Sequence, residues 1–175
     1  VHVMDIAAGH GRYVLDALTA QELPDSIRLR DYSSLNVEAG RKLIHERQLQ
    51  DIARFDEVNA YDRANYQTLD PQPTLGIVSG LHELFPDNDL INQSLLGFAD
   101  AIASGNYLIY TNQPWHPQLE MIARCLTSHR QGEAWVMRRR SQREMDQLVA
   151  AEGFDKVRQL IDEDGIFTVT LARKR

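Results

Sequence analysis

The sequence predicts an α/β fold, a three-layer sandwich whose seven-stranded, mostly parallel sheet ends in a C-terminal antiparallel hairpin. Three observations carry that expectation. Short apolar runs rich in β-branched residues alternate with longer amphipathic stretches, the pattern of βαβ units. Small residues and glycines cluster directly after the first such run. Near the C-terminus the alternation stops, and two extended segments flank a turn sequence.

Strands are expected at 1–7, 27–31, 55–59, 75–79 and 107–111. Between them, 13–20, 35–47, 90–104 and 117–128 space their apolar residues three and four apart, as helices covering a sheet do. The prolines of Asp70-Pro71-Gln72-Pro73 enforce an extended connection into the fourth strand. A further helix is expected at 142–152. Segments 156–161 and 166–172 then join through Asp162-Glu163-Asp164-Gly165, whose glycine accepts positive φ, and form a hairpin. That ending separates this sheet from the dinucleotide-binding Rossmann sheet, whose last strands are all parallel.

Composition narrows the classes of function. At 175 residues, the chain is expected to form one domain over 1–175, with a core that needs no disulfide or structural metal. Hydrophobic residues at 43% and charged residues at 25% match a soluble globular protein, and no apolar run approaches the twenty or so residues of a membrane span. A net charge of −6 argues against nucleic acid as a partner. The basic run Met137-Arg138-Arg139-Arg140 reads as a solvated edge. With Trp135 and Val136 it reads equally well as an edge strand or as a seat for an anionic acceptor, such as a lipid head group or acyl-phosphate.

Cys125 is the sole cysteine, so no intrachain disulfide forms and a reducing, cytoplasmic compartment is expected. Its helical surroundings predict a small buried hydrophobe rather than a nucleophile. The six histidines are scattered, and no metal is expected; His2, His45 and His129 read as ordinary surface or edge residues. The chain opens on strand residues without an initiating Met or a targeting pattern, and is expected to belong to a longer polypeptide.

The chemistry concentrates where strands end. Asp5-Ile6-Ala7-Ala8-Gly9-His10-Gly11-Arg12 follows the first strand and precedes a helix, so backbone there passes close to a ligand. A dinucleotide fingerprint places a third glycine at position 14, which is Val14 here. The loop instead has an acid four residues before Gly9, well suited to an ammonium group.

With Asp5, Ala7, Gly9 and Gly11 in these places, the chain resembles the class I S-adenosylmethionine-dependent methyltransferases, Ala7 standing where glycine is commoner. The resemblance covers nearly the whole chain. It is closest to bacterial methyltransferase domains that are sometimes fused behind an α/β-hydrolase domain, which implies such a neighbour as a partner. Asp31, at the end of the second strand, suits both ribose hydroxyls of a nucleoside; capping the helix near Ser34 is the alternative. Tyr32 is placed to pack on adenine, or else serves as a core aromatic. The resemblance puts Asn59 and Ala60 at the adenine amino group, with Asp62 as a substitute for Asn59.

After the fourth strand, Ser79 and Gly80 border the cofactor, while His82 and Glu83 are the acid/base candidates; a buried hydrogen bond is the plainer role for Glu83. Asn112, Trp115 and His116 leave the fifth strand as polar and flat apolar groups suited to an acceptor, with Tyr13 on the first helix. Pro117 starting a helix beside an exposed His116 is the alternative there. The expected function is methyl transfer from S-adenosylmethionine, leaving S-adenosylhomocysteine, to a small-molecule or lipid-like acceptor. A non-catalytic cofactor-binding or docking module is the second reading. A nicotinamide-dependent oxidoreductase is disfavoured by Val14 and the hairpin.

Overall fold

The computed structural model describes residues 1–18, 22–67, 69–127 and 132–175. Its elements run β1 (His2–Ile6), α1 (Arg12–Asp16), β2 (Ser26–Asp31), α2 (Ser34–Glu46), β3 (Ala53–Glu57), α3 (Ala64–Gln67), β4 (Leu75–Val78), a 3-10 turn (His82–Leu84), α4 (Asn88–Ala101), β5 (Tyr107–Asn112), α5 (Leu119–Cys125), α6 (Gln142–Ala151), β6 (Phe154–Ile161) and β7 (Thr168–Lys174). The strands form one sheet in the order β3-β2-β1-β4-β5-β7-β6. Strands β1 to β5 pair in parallel, and β7 runs antiparallel to both β5 and β6. The mostly parallel sheet with its terminal hairpin is therefore as the sequence predicts.

Alternation along the strands divides the core into two layers. Met4 and Ile6 of β1, Val78 of β4 and Leu108 and Tyr110 of β5 pack with Ile91, Leu95 and Phe98 of α4 and Met145 and Val149 of α6. On the opposite face Ile27, Leu29 and Phe55 pack with Val14 and Leu15 of α1 and Val37 and Ile44 of α2. Val14, where a dinucleotide fold would have glycine, is thus a core residue. Helix starts are capped as their sequences suggest: Asp87 accepts from the Asp89 N–H (2.8 Å) and Ser141 from that of Glu144 (3.1 Å).

Several boundaries differ from the expected ones, with physical reasons. Strand β1 stops at Ile6 because Ala7 turns left-handed (φ 53°). Strands β3 and β4 stop at Glu57 and Val78, which moves Asn59 and Ser79 into loops. The 3-10 turn and the four-residue α3 are too short to leave a periodic signal. Helix α5 buries none of its residues, so Cys125 at its end is exposed, not the buried hydrophobe expected. The expected helix ends at Ala20 and Ser128, and His129, lie outside the described residues. Among the described residues no helix is long and apolar enough to cross a membrane.

The basic run is the largest departure. It is not an edge strand, and Arg140 is not solvated: it is 1% exposed and donates to the His82 and Phe85 carbonyls and to Asn88 Oδ1, each at 2.8 Å. Arg138 adds bonds to the Pro86 carbonyl (2.7 Å) and Glu144 Oε1 (2.5 Å). The loop after β4 is too short of secondary structure to hold its own carbonyls, and these guanidinium groups satisfy them instead. Replacement Arg140→Met roughly keeps the volume but removes three hydrogen bonds, the one to the His82 carbonyl fully buried, and is expected to lower stability by about 3 kcal/mol in urea unfolding. A loss under about 0.5 kcal/mol would mean that the loop holds itself.

Candidate functional site

The loop from β1 to α1 is built on left-handed backbone at Ala7, Gly9 and Gly11 (φ 53°, 58° and 69°). The two glycines do different work. A Cβ on Gly11 would meet Leu29 Cδ1 at 2.3 Å, so Gly11 lets the loop close on β2, whereas a Cβ on Gly9 would meet nothing within 4 Å and would project into open space. Asp31 ties this loop to the next. Its Oδ2 accepts from the Gly9 N–H (2.9 Å), and its Oδ1 accepts from the Ser33 N–H (2.9 Å) and Asn36 Nδ2 (3.1 Å). The helix-capping alternative thus holds in part, since Ser33 precedes α2, yet Oδ2, with one donor, keeps acceptor capacity. Tyr32 is 67% exposed beside it, which removes the core-aromatic reading.

Asp5 is the exception to ordinary burial. It lies on β1, the middle of the five parallel strands, at 0% exposure, and neither carboxyl oxygen has a hydrogen-bond partner. Burial pushes its carboxyl up to about 8; the Tyr13 phenol opposes the shift without reaching bonding geometry, and the Asp31 charge adds to it. Tyr13 itself, 45% exposed on α1, is pushed further up by burial and by Asp5. It sits with Asp5 and not with the other expected acceptor residues.

Asn59 is exposed, and its Oδ1 accepts from the Tyr61 N–H (3.0 Å) in a local turn; Asp62 Oδ1 takes the Ala64 N–H (3.1 Å) at the start of α3. The Ala60 carbonyl accepts from the Tyr66 hydroxyl (2.7 Å). At the end of β4, Ser79 is half-buried and Gly80 is exposed with φ 71°; a Cβ on Gly80 would again meet nothing. The Gly80 N–H donates to Thr111 Oγ1 (2.9 Å), and Thr111 donates to Glu83 Oε1 (3.3 Å). Glu83 is 3% exposed with Oε2 unpartnered, and burial pushes its carboxyl up against the pull of its own N–H, Thr111, Arg139 and Arg140.

Two expected site residues are turned inward. The His82 ring, 2% exposed, pairs with Ser94 of α4 (3.3 Å), and burial with the Arg140 charge pushes it down to about 3. It is a neutral core group facing α4. The Asn112 amide donates to the Arg140 carbonyl (3.1 Å) and Gln142 Oε1 (3.4 Å), fixing 140–142 to β5 instead of facing an acceptor. Trp115 is 56% exposed, and His116 Nδ1 accepts from the Gln118 N–H (3.1 Å). Sequence reasoning gave no site role to Thr111 or Asn36, and weighed Arg139 only as part of the basic run. Strand alternation was the available signal for Thr111, since it turns opposite to buried Tyr110 and Asn112.

Known proteins meet this geometry at the level of family and fold. A family described as "Putative methyltransferase" matches residues 1–174. The chain belongs to that family. YnbC of Escherichia coli (strain K12), named "Uncharacterized protein YnbC", is 57% identical over 175 residues, all of this chain and 30% of YnbC. The chain thus spans less than a third of that relative. Among solved structures, magnesium protoporphyrin IX methyltransferase of Synechocystis PCC 6803 with bound SAH aligns at TM-score 0.73 and 13% identity, over 99% of this chain and 73% of the other. A SAM-dependent methyltransferase from Methanosarcina mazei aligns at 0.71 and 18%, over 99% and 92%. The fold of this family member is that of the class I methyltransferases, Rossmann-like with the order described above.

An S-adenosyl cofactor fits the residues present. Asp5 offers two orphaned buried oxygens to a cation, a Cβ on Gly9 or on Gly80 would meet nothing within 4 Å, and Asp31 Oδ2 has room for a further donor. The same carboxyl yields a pH prediction. Because the folded state holds the Asp5 proton up to about pH 8 and an unfolded carboxyl loses it near 3.8, this group lowers stability as pH rises from about 4 to 8. Asp5→Asn removes that dependence, and is expected to melt about 3 °C or more above the parent at pH 8 with a smaller gain at pH 5. An equal or lower melting temperature at pH 8 would mean that the carboxyl is satisfied.

Proposed function

We propose that this chain transfers the methyl group of S-adenosylmethionine to a small-molecule acceptor and releases S-adenosylhomocysteine. The observation that carries this reading is Asp5, a fully buried carboxyl with no partner at the end of β1. When bound, the cofactor supplies an electrophilic methyl on a sulfonium centre. Asp5 holds the ammonium group of its amino-acid part, and Asp31, kept in place by Gly9, Ser33 and Asn36, accepts from the ribose hydroxyls. Tyr32 offers a flat face to adenine, beside the backbone of Asn59 and Ala60.

The ends of β4 and β5 then serve the acceptor. Glu83 Oε2, unpartnered and pushed up by burial, suits a proton acceptor whose affinity is raised toward neutrality. Most of the remaining task is alignment of two bound molecules.

Calorimetric titration with S-adenosylmethionine and S-adenosylhomocysteine tests it. Saturable binding of both is expected, with Asp31→Ala weakening it at least tenfold, the loss of about 1.4 kcal/mol or more that charged hydrogen bonds carry. Absence of heat and of any thermal shift at millimolar ligand would overturn the proposal. Unchanged affinity in Asp31→Ala would remove the ribose assignment.

A further inference from the structure

Arg139 lies in the irregular connection between α5 and α6, half-buried, with Nη1 donating to the carbonyl and Oε1 of Gln113. Its Nε and Nη2 are sealed from solvent and have no acceptor. Those two nitrogens form one edge of the guanidinium, the parallel fork that takes both oxygens of a carboxylate. An arginine with an entire fork unpaired inside a protein is as unusual as an unpaired buried acid. Burial lowers its proton affinity, and Glu83 opposes that through its charge. Each group feels the other, yet no ion pair forms between them, since the nine ion pairs within 4.0 Å among the described residues do not include this one.

Glu83 is buried and Arg139 half-buried; the two stay more than 4.0 Å apart, and each keeps unpaired atoms. Glu83 is anchored at Oε1 by Thr111, and Arg139 at Nη1 by Gln113, two residues apart at the end of β5. Their free atoms are Oε2 at one end and the Nε–Nη2 fork at the other. Gly80, bonded to the same Thr111, leaves open space where a Cβ would stand. We propose that this pair binds an acceptor carrying both a carboxylate and a hydroxyl, the carboxylate on the Arg139 fork and the hydroxyl donating to Glu83 Oε2. This deepens the methyltransferase reading and rests on it. The substrate class is a small hydroxy acid, not a neutral lipid.

The test uses the full chain saturated with S-adenosylhomocysteine and titrated with 2-, 3- and 4-hydroxybenzoate, which step the two groups through three separations. Benzoate and the three methyl esters are the controls. At least one isomer is expected to bind about tenfold or more tighter than both its ester and benzoate. Arg139→Met should abolish the preference for acid over ester, and Glu83→Gln the preference for hydroxybenzoate over benzoate, while both variants keep their S-adenosylhomocysteine affinity and so their fold. If all three isomers bind no better than their controls, or if Arg139→Met still prefers the acid, the acceptor assignment is overturned and the methyl-donor reading stands. Failure of S-adenosylhomocysteine to bind at all would instead bring down the reading on which the assignment rests.

Discussion

The organisation of this protein turns on a carboxyl group buried without a donor. Asp5 is on β1, which has β2 and β4 as neighbours and a helical layer over each face, so no water reaches it. Such a group costs free energy whether it stays neutral or ionises, and a site of this kind persists where a cation is to be received. The surrounding backbone is consistent with that purpose. The chain leaves β1 through three left-handed residues, Ala7, Gly9 and Gly11, of which Gly11 lets the loop close on Leu29 and Gly9 borders open space. Asp31 then fixes the loop from the second strand by accepting from Gly9.

The topology explains why two sets of unpaired groups coexist. Chain order reverses between β1 and β4, and open α/β sheets place ligands in the crevice at such a switch. On one side, β1, β2 and the loops after them contribute Asp5, Gly9, Asp31 and Tyr32. On the other, β4 and β5 contribute Gly80, Glu83 and Thr111, with Arg139 brought in from the connection to α6. The arginine-rich segment braces this second set: Arg138 and Arg140 hold the loop that carries Glu83, leaving Arg139 as the one of the three with a free fork.

Much of this was legible in the sequence, unevenly. Alternating runs placed the strands and the layer helices, and Asp162 to Gly165 marked the hairpin, because each depends on local periodicity or turn chemistry. Asp5, Gly9, Gly11 and Asp31 were legible for the same reason, as residues at strand ends. What escaped depends on tertiary packing. The run 138–140 looks solvated until its partners, the carbonyls of a loop more than fifty residues earlier, are in view. His82 and Glu83 are neighbours in a 3-10 turn, and nothing local says that one faces α4 while the other faces the end of β5. Cys125 carries a helical pattern, but its helix buries no residue.

The central claim, that Asp5 awaits a cation, has a direct measure in protons. Near pH 6.5 the free protein holds Asp5 neutral, and a bound ammonium group draws it into the ionised form, so binding must release the proton. Titration of S-adenosylhomocysteine at that pH in two buffers of different ionisation enthalpy counts the protons exchanged. The account requires release of close to one proton per molecule bound. Binding with no proton released would contradict it.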